Sequence, residues 1–284
     1  MTAISELRPS SIAGTWYEGH PERLARAVDG YISSAILPAL TGRVVAVIAP
    51  HAGHRFSGAV AGHAFAAVKN MAPDVVAVIS PMHQYAMHSF ITTAHAAYFT
   101  PLGPISVNHA LLKQLNTNLL QRMGYGLVSV VNDAEHSLEI ELPFLQRALK
   151  PGFTLLPLML REQTREAARQ LGAALADVLE GTNALLVAST DLSHFHTQSR
   201  AMALDRAMLK EVAAFSPEGV FDVEENGAGE ACGLGALSAV LWAAKMLGAG
   251  RVEVLKHATS GDVSGDYQSV VGYGAAVVLK ERPA

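Results

Sequence analysis

Short apolar runs recur along the chain. Residues 44–49, 75–80, 153–160, 184–189 and 270–279 are rich in β-branched residues and lack polar alternation. That pattern suits strands covered on both faces. Between them, residues 58–70, 110–121, 137–149, 164–180, 201–215 and 235–247 show helical periodicity. Strands alternating with helices predict an α/β fold, a mainly parallel or mixed central sheet flanked by helices. Residues 90–100 read as an extra strand or hairpin segment stopped by Pro101. Residues 124–133 and 216–230 read as loops. With no linker, charge block or internal repeat, one domain over residues 1–284 is expected.

Composition removes several function classes. Lys+Arg number 21 against 25 Asp+Glu, a formal charge of −4, and 16% of residues are charged while 50% are hydrophobic. Average soluble domains carry about 25% charged residues, so the chain is core-rich and not disordered. Without clustered cations it is a poor binder of nucleic acid. The N-terminal segment lacks a cationic start followed by an apolar stretch. No apolar run approaches the roughly 18–20 residues of a membrane span. A soluble, cytoplasmic protein with no membrane partner is therefore expected. A lone cysteine excludes an internal disulfide, and 12 histidines stand beside it.

The histidines matter by position. The first run ends in Pro50-His51-Ala52-Gly53-His54, the second in Ser80-Pro81-Met82-His83, and the fourth in Ser189-Thr190-Asp191-Leu192-Ser193-His194. Ligands of open α/β sheets bind outside the carboxyl ends of the strands. If these strands are parallel, His51, His83, Asp191 and His194 converge at one edge. Two neutral imidazoles beside a carboxylate or thiolate form a common set for iron, copper or zinc. Cys232 lies at a loop-to-helix junction, where a thiolate gains from the helix N-terminus; a free cysteine is equally at home as a small buried hydrophobe. His136 and Glu139, three residues apart, share one face of the expected helix, and Glu135 suits its first turn. Plainer roles are also open: Asp191 as an N-cap, Glu139 as a solvated helix residue, Trp16 and Tyr17 as core anchors. His54 fits a second site group or a capping side chain, and His196 is expected to point away.

Taken together, Gly14-Thr15-Trp16-Tyr17, Pro50-His51-Ala52-Gly53, Ser80-Pro81-Met82-His83, Glu135-His136-Ser137-Leu138-Glu139, Ser189 to His194 and Ala231-Cys232-Gly233 resemble the Memo family over nearly the whole chain. Its prokaryotic members are also called AmmeMemoRadiSam system protein B. The resemblance implies a fold similar to class III extradiol dioxygenases. It further implies a metal held by His51, His83 and Cys232, with His136, Asp191 and His194 in the same pocket. Family members are implicated in iron or copper binding, redox chemistry and phosphotyrosine-peptide binding, without a settled substrate. His54 and Phe56 stand where the family usually has Tyr, and Ser80 where it usually has Gly.

Three functions follow as expectations. In a metal-dependent oxidoreductase, His51, His83 and Cys232 hold iron(II) or copper, His194 and His136 move protons, and Asp191 orients an imidazole. The thiolate softens the site towards copper, with zinc also possible. The alternative is a non-enzymatic metal- or peptide-binding protein on an enzyme fold. The third is a hydrolase with Cys232 as nucleophile and His194 as base.

Overall fold

The computed structural model describes residues 6–131 and 133–281. In chain order its elements are β1 (Leu7–Arg8), α1 (Pro21–Ser34), β2 (Arg43–Ala49), α2 (His54–Ala66), β3 (Val75–Pro81), β4 (Phe90–Thr93), β5 (Ala97–Thr100), β6 (Gly103–Ser106), α3 (His109–Met123) and β7 (Leu127–Val130). A 3-10 turn (Glu139–Glu141) then leads into α4 (Leu142–Ala148), β8 (Thr154–Leu160), α5 (Arg165–Leu179), β9 (Ala184–Ser189), β10 (His194–His196) and α6 (Gln198–Ala213). Last come α7 (Gly219–Glu225), α8 (Leu234–Met246), β11 (Arg251–Thr259), α9 (Gly261–Ser264) and β12 (Val270–Lys280).

The main sheet is mixed, in the order β10-β12-β2-β9-β3-β8-β4-β7, with β11 also paired to β12. Its middle is parallel: β2, β9, β3 and β8. β12 runs antiparallel to β2, β10 and β11, and β4 antiparallel to β8. The four parallel strands are four of the five apolar runs that show no polar alternation, the fifth being the antiparallel β12; almost all residues of the four are buried, as sheets covered on both faces require. α8 lies against β2, β3, β8 and β9 with α5 packed on it, and α2 lies against β2, β11 and β12 with α1 and α4 packed on it. α5 and α8 approach closely because residue 172 is Gly; a Cβ there would stand 2.5 Å from Trp242 Cβ.

Several elements differ from the sequence reading, each for a physical reason. Residues 90–100 divide between two sheets, β4 in the large one and β5 in a small sheet with β1 and β6. β11 alternates polar and apolar residues and is half-exposed, so no apolar run marks it. α1 buries only Leu24, Val28 and Ile32, a stripe repeating every four residues. β7 and α7 lie in the segments read as loops and are short, 4 and 7 residues. Residues 137–149 do not form one helix: Pro143 falls in the first turn of α4, where a missing N–H costs nothing. Among the described residues no helix is long and apolar enough to cross a membrane.

Candidate metal centre

The parallel strands β2, β3 and β9 end along one edge of the sheet, and each releases a polar residue there. His51 lies two residues beyond β2, His83 two beyond β3 and Asp191 two beyond β9. His136 enters from the segment before the 3-10 turn. One ligating atom from each of His51, His83 and His136 lies within 4.8 Å of the others, so the three can hold a metal ion. The His51 ring stands nearly perpendicular to those of His83 and His136, at 81° and 86°, while His83 and His136 stack with centroids 4.8 Å apart.

Glu135 organises two of the three. Its Oε1 accepts from His83 Nδ1 at 2.9 Å and lies 3.2 Å from His136 Nδ1, and its Oε2 accepts from the His83 N–H at 2.6 Å. Burial alone would raise this carboxyl, but hydrogen bonds from His83 and the Ser137 N–H outweigh it and hold it well below the usual carboxylate range. An ionised carboxylate only accepts. It therefore draws the His83 proton onto Nδ1 and leaves Nε2 with a lone pair, the usual state of a metal-binding histidine. His51 Nδ1 is in turn 3.0 Å from Ser189 Oγ. Burial, and then the neighbouring His83 and His136, push His51 well below the usual histidine range; burial also lowers His136. Neutral imidazoles are the form that can bind a metal.

Cys232 lies against one member of this cluster, His51, while the atoms that group within 4.8 Å are those of His51, His83 and His136 rather than the His51, His83 and Cys232 set that the resemblance implies. Its Sγ is 3.0 Å from His51 Nε2 and accepts from the Asp191 N–H at 3.3 Å. The contact depends on Gly233: a Cβ at that position would meet Ser189 O at 2.5 Å and Thr190 Cβ at 2.8 Å. Burial, and then Asp191, push the thiol up. Asp191 is not a helix cap: its Oδ1 accepts from the N–H groups of His51 and Ala52 at 2.8 and 3.3 Å. Burial raises this carboxyl to about 7. His194 donates from Nδ1 to Leu192 O at 2.8 Å, and burial lowers its affinity for a proton. His196 contacts Glu230.

His54 is kept apart from the three imidazoles by its burial among Tyr17, Tyr31 and Phe144, with Nε2 donating to Ile140 O at 3.1 Å. Trp16 is more than a core anchor. It is 39% exposed, and its ring lies 4.3 Å from that of His136. The sequence reading gave no role to Glu141 and Ser189, and none to Glu135 beyond a first-turn charge. The only advance signal for Glu135 was its place beside His136.

A model of Memo-like proteins matches residues 8–277. The chain belongs to the Memo family. A MEMO1 family protein of Methanopyrus kandleri is 32% identical over 95% of this chain and 98% of its own length. MEMO1 family proteins of Methanosarcina mazei and Methanothermobacter thermautotrophicus are each 33% identical, over 96% and 94% of this chain and 99% and 98% of their own lengths. The Memo match takes in all six residues of the candidate site, from His51 to Cys232.

Proposed function

We infer that this Memo family chain is a metal-binding protein whose cleft carries out redox chemistry with iron or copper on a small substrate. One observation carries the reading: three imidazoles lie with ligating atoms within 4.8 Å of one another. Two of them are fixed through Nδ1 by Glu135 and Ser189. The donor set fits a first-row transition ion, and the chemistry of imidazole and sulfur donors accommodates iron, copper and zinc. His51 and His83 are the primary ligands. Cys232, 3.0 Å from His51 Nε2, is the sulfur donor, and His136 is the third imidazole of the cluster. A bound iron or copper ion would supply Lewis acidity and one-electron redox chemistry.

The surrounding residues handle protons and access. Asp191 takes up or gives up a proton near pH 7, since burial raises it to about 7. His194, its Nδ1–H committed to Leu192 O, keeps Nε2 to accept one. Trp16 covers one face of His136 and limits solvent there. The hydrolase reading is less well supported: the imidazole against Cys232 is His51, and burial holds the thiol protonated, whereas a nucleophilic cysteine needs a lowered pKa.

The test is metal analysis of protein purified without added metal, followed by oxygen uptake with catechol-like or thiol substrates. The expected result is about one transition ion per chain, with content and uptake lost in His83→Ala. Absence of iron, copper and zinc that no reconstitution restores would overturn the metal reading. Oxygen uptake unchanged in His83→Ala would remove the redox chemistry and leave binding alone.

A further inference from the structure

We propose that Glu141 is a neutral carboxylic acid that donates its proton to Ser189 and thereby fixes His51 with its proton on Nδ1 and its lone pair on Nε2. Three polar groups surround one hydroxyl. Ser189 Oγ is 2.7 Å from Ser137 O, 2.8 Å from Glu141 Oε1 and 3.0 Å from His51 Nδ1. A serine hydroxyl has one hydrogen and two lone pairs. The Ser137 carbonyl only accepts, so it takes that hydrogen. The other two partners must then both donate to Ser189: His51 through Nδ1–H, and Glu141 through a carboxylic O–H. Any other assignment sets two lone pairs against each other at hydrogen-bonding distance.

The surroundings of Glu141 agree. Its side chain is fully buried, and Oε2 has no hydrogen-bond partner. Among the described residues its one side-chain hydrogen-bond partner is the Ser189 hydroxyl, and an unpaired buried carboxylate is among the costliest groups to keep charged. Glu135 is the contrast: also buried, but supplied with two imidazoles and backbone N–H donors. Burial, the largest influence, and then Asp191 raise Glu141 well above the usual carboxyl range. The same fold thus holds His83 through an ionised acid and His51 through a neutral one with a serine between. As a consequence His51 Nε2 is the acceptor for the Cys232 thiol at 3.0 Å. The protonation of Glu141 stands independently of any ion, whereas its role as a positioning residue for a metal ligand rests on the proposed function.

The test uses the full chain free of metal and infrared spectroscopy at pH 9, where Asp191 and Glu224, each raised to about 7, are ionised. A carbonyl band of a protonated carboxylic acid is expected in the wild type and absent in Glu141→Gln. Absence of the band from the wild type overturns the proposal without any variant. Metal affinity measured by zinc titration then tests positioning. Glu141→Gln keeps an N–H donor for Ser189 and is expected to stay within about 3-fold of wild type; Glu141→Leu, which has no donor, is expected to lose about 10–100-fold. Equal losses in both variants would overturn the positioning role. If wild-type chain takes up no metal, the metal reading fails while the infrared band still decides the state of Glu141.

Discussion

Two buried polar clusters lie four residues apart in sequence and have opposite chemistry. Glu139 sits in a saturated one. Its oxygens accept from Arg8 Nη1 at 2.7 Å, the Ser11 N–H and Oγ at 3.0 Å, Tyr17 OH at 2.9 Å, and Ser10 Oγ. Arg8 turns its other face to Asp133, with Nη2 to Oδ1 at 2.7 Å. One arginine bridges both carboxylates, and the remaining acceptor positions of Glu139 are filled by Ser10, Ser11 and Tyr17, so the cluster ties the N-terminal segment to the 3-10 turn. Glu135 sits in the other cluster, where Glu135 faces two imidazoles through Nδ1 and their Nε2 atoms remain uncommitted. A buried polar group with all its bonds made is structure; one left with aimed lone pairs is a site. One short segment supplies both because Glu135 lies just before the turn while Glu139 begins it.

The comparison breaks most sharply at Arg8. Arg8→Ala strands two buried carboxylates, and removing one partner of a buried ion pair costs about 3–5 kcal/mol. Urea unfolding is expected to show that loss. A loss under about 1 kcal/mol would mean that the pairing around Arg8 is not what ties the segment down.

The next effect belongs to His54. Burial lowers it to about 4, against its own backbone bond to Ile140. The unfolded chain binds this proton below about pH 6.5 while the folded chain does not until about pH 4, so stability falls as pH drops through that window. The expected contribution is about 3 kcal/mol, seen as a shallower decline of unfolding midpoint between pH 7 and 4 in His54→Phe. An identical decline in the variant would show that His54 titrates normally.

Glu135→Gln gives a smaller effect. Replacing a carboxylate behind a metal-binding histidine typically weakens affinity by about 10–100-fold. Zinc titration of the variant at pH 7.5 is expected to show that drop. Unaltered affinity would separate Glu135 from the lone pairs it is argued to aim.

How much of this could be read from the residues follows from the same contrast. The parallel strands were legible because both of their faces are buried, and His51, His83, Asp191 and His194 were legible because they follow those strands directly. β11 and α1, each apolar on one side only, were not. Neither was the contact of Cys232 with His51, which spans 181 residues and depends on Gly233. From the residues alone, Glu135 reads as a first-turn charge, Glu139 as a solvated helix residue or a partner of His136 on one face, and Glu141 carries no role. The donors that meet each buried carboxyl make them an ionised orienter, one partner of a buried arginine and, by our proposal, a neutral donor. Local sequence does not carry the dielectric surroundings that separate those states.

The most direct test of the metal centre is a calorimetric titration of metal-free chain with zinc in two buffers of different ionisation enthalpy. One saturable site is expected, releasing about one proton to the buffer as the Cys232 thiol is deprotonated on binding. Affinity should rise with pH, and binding should be lost in His51→Ala. No saturable binding, or binding that His51→Ala leaves intact, would contradict the account.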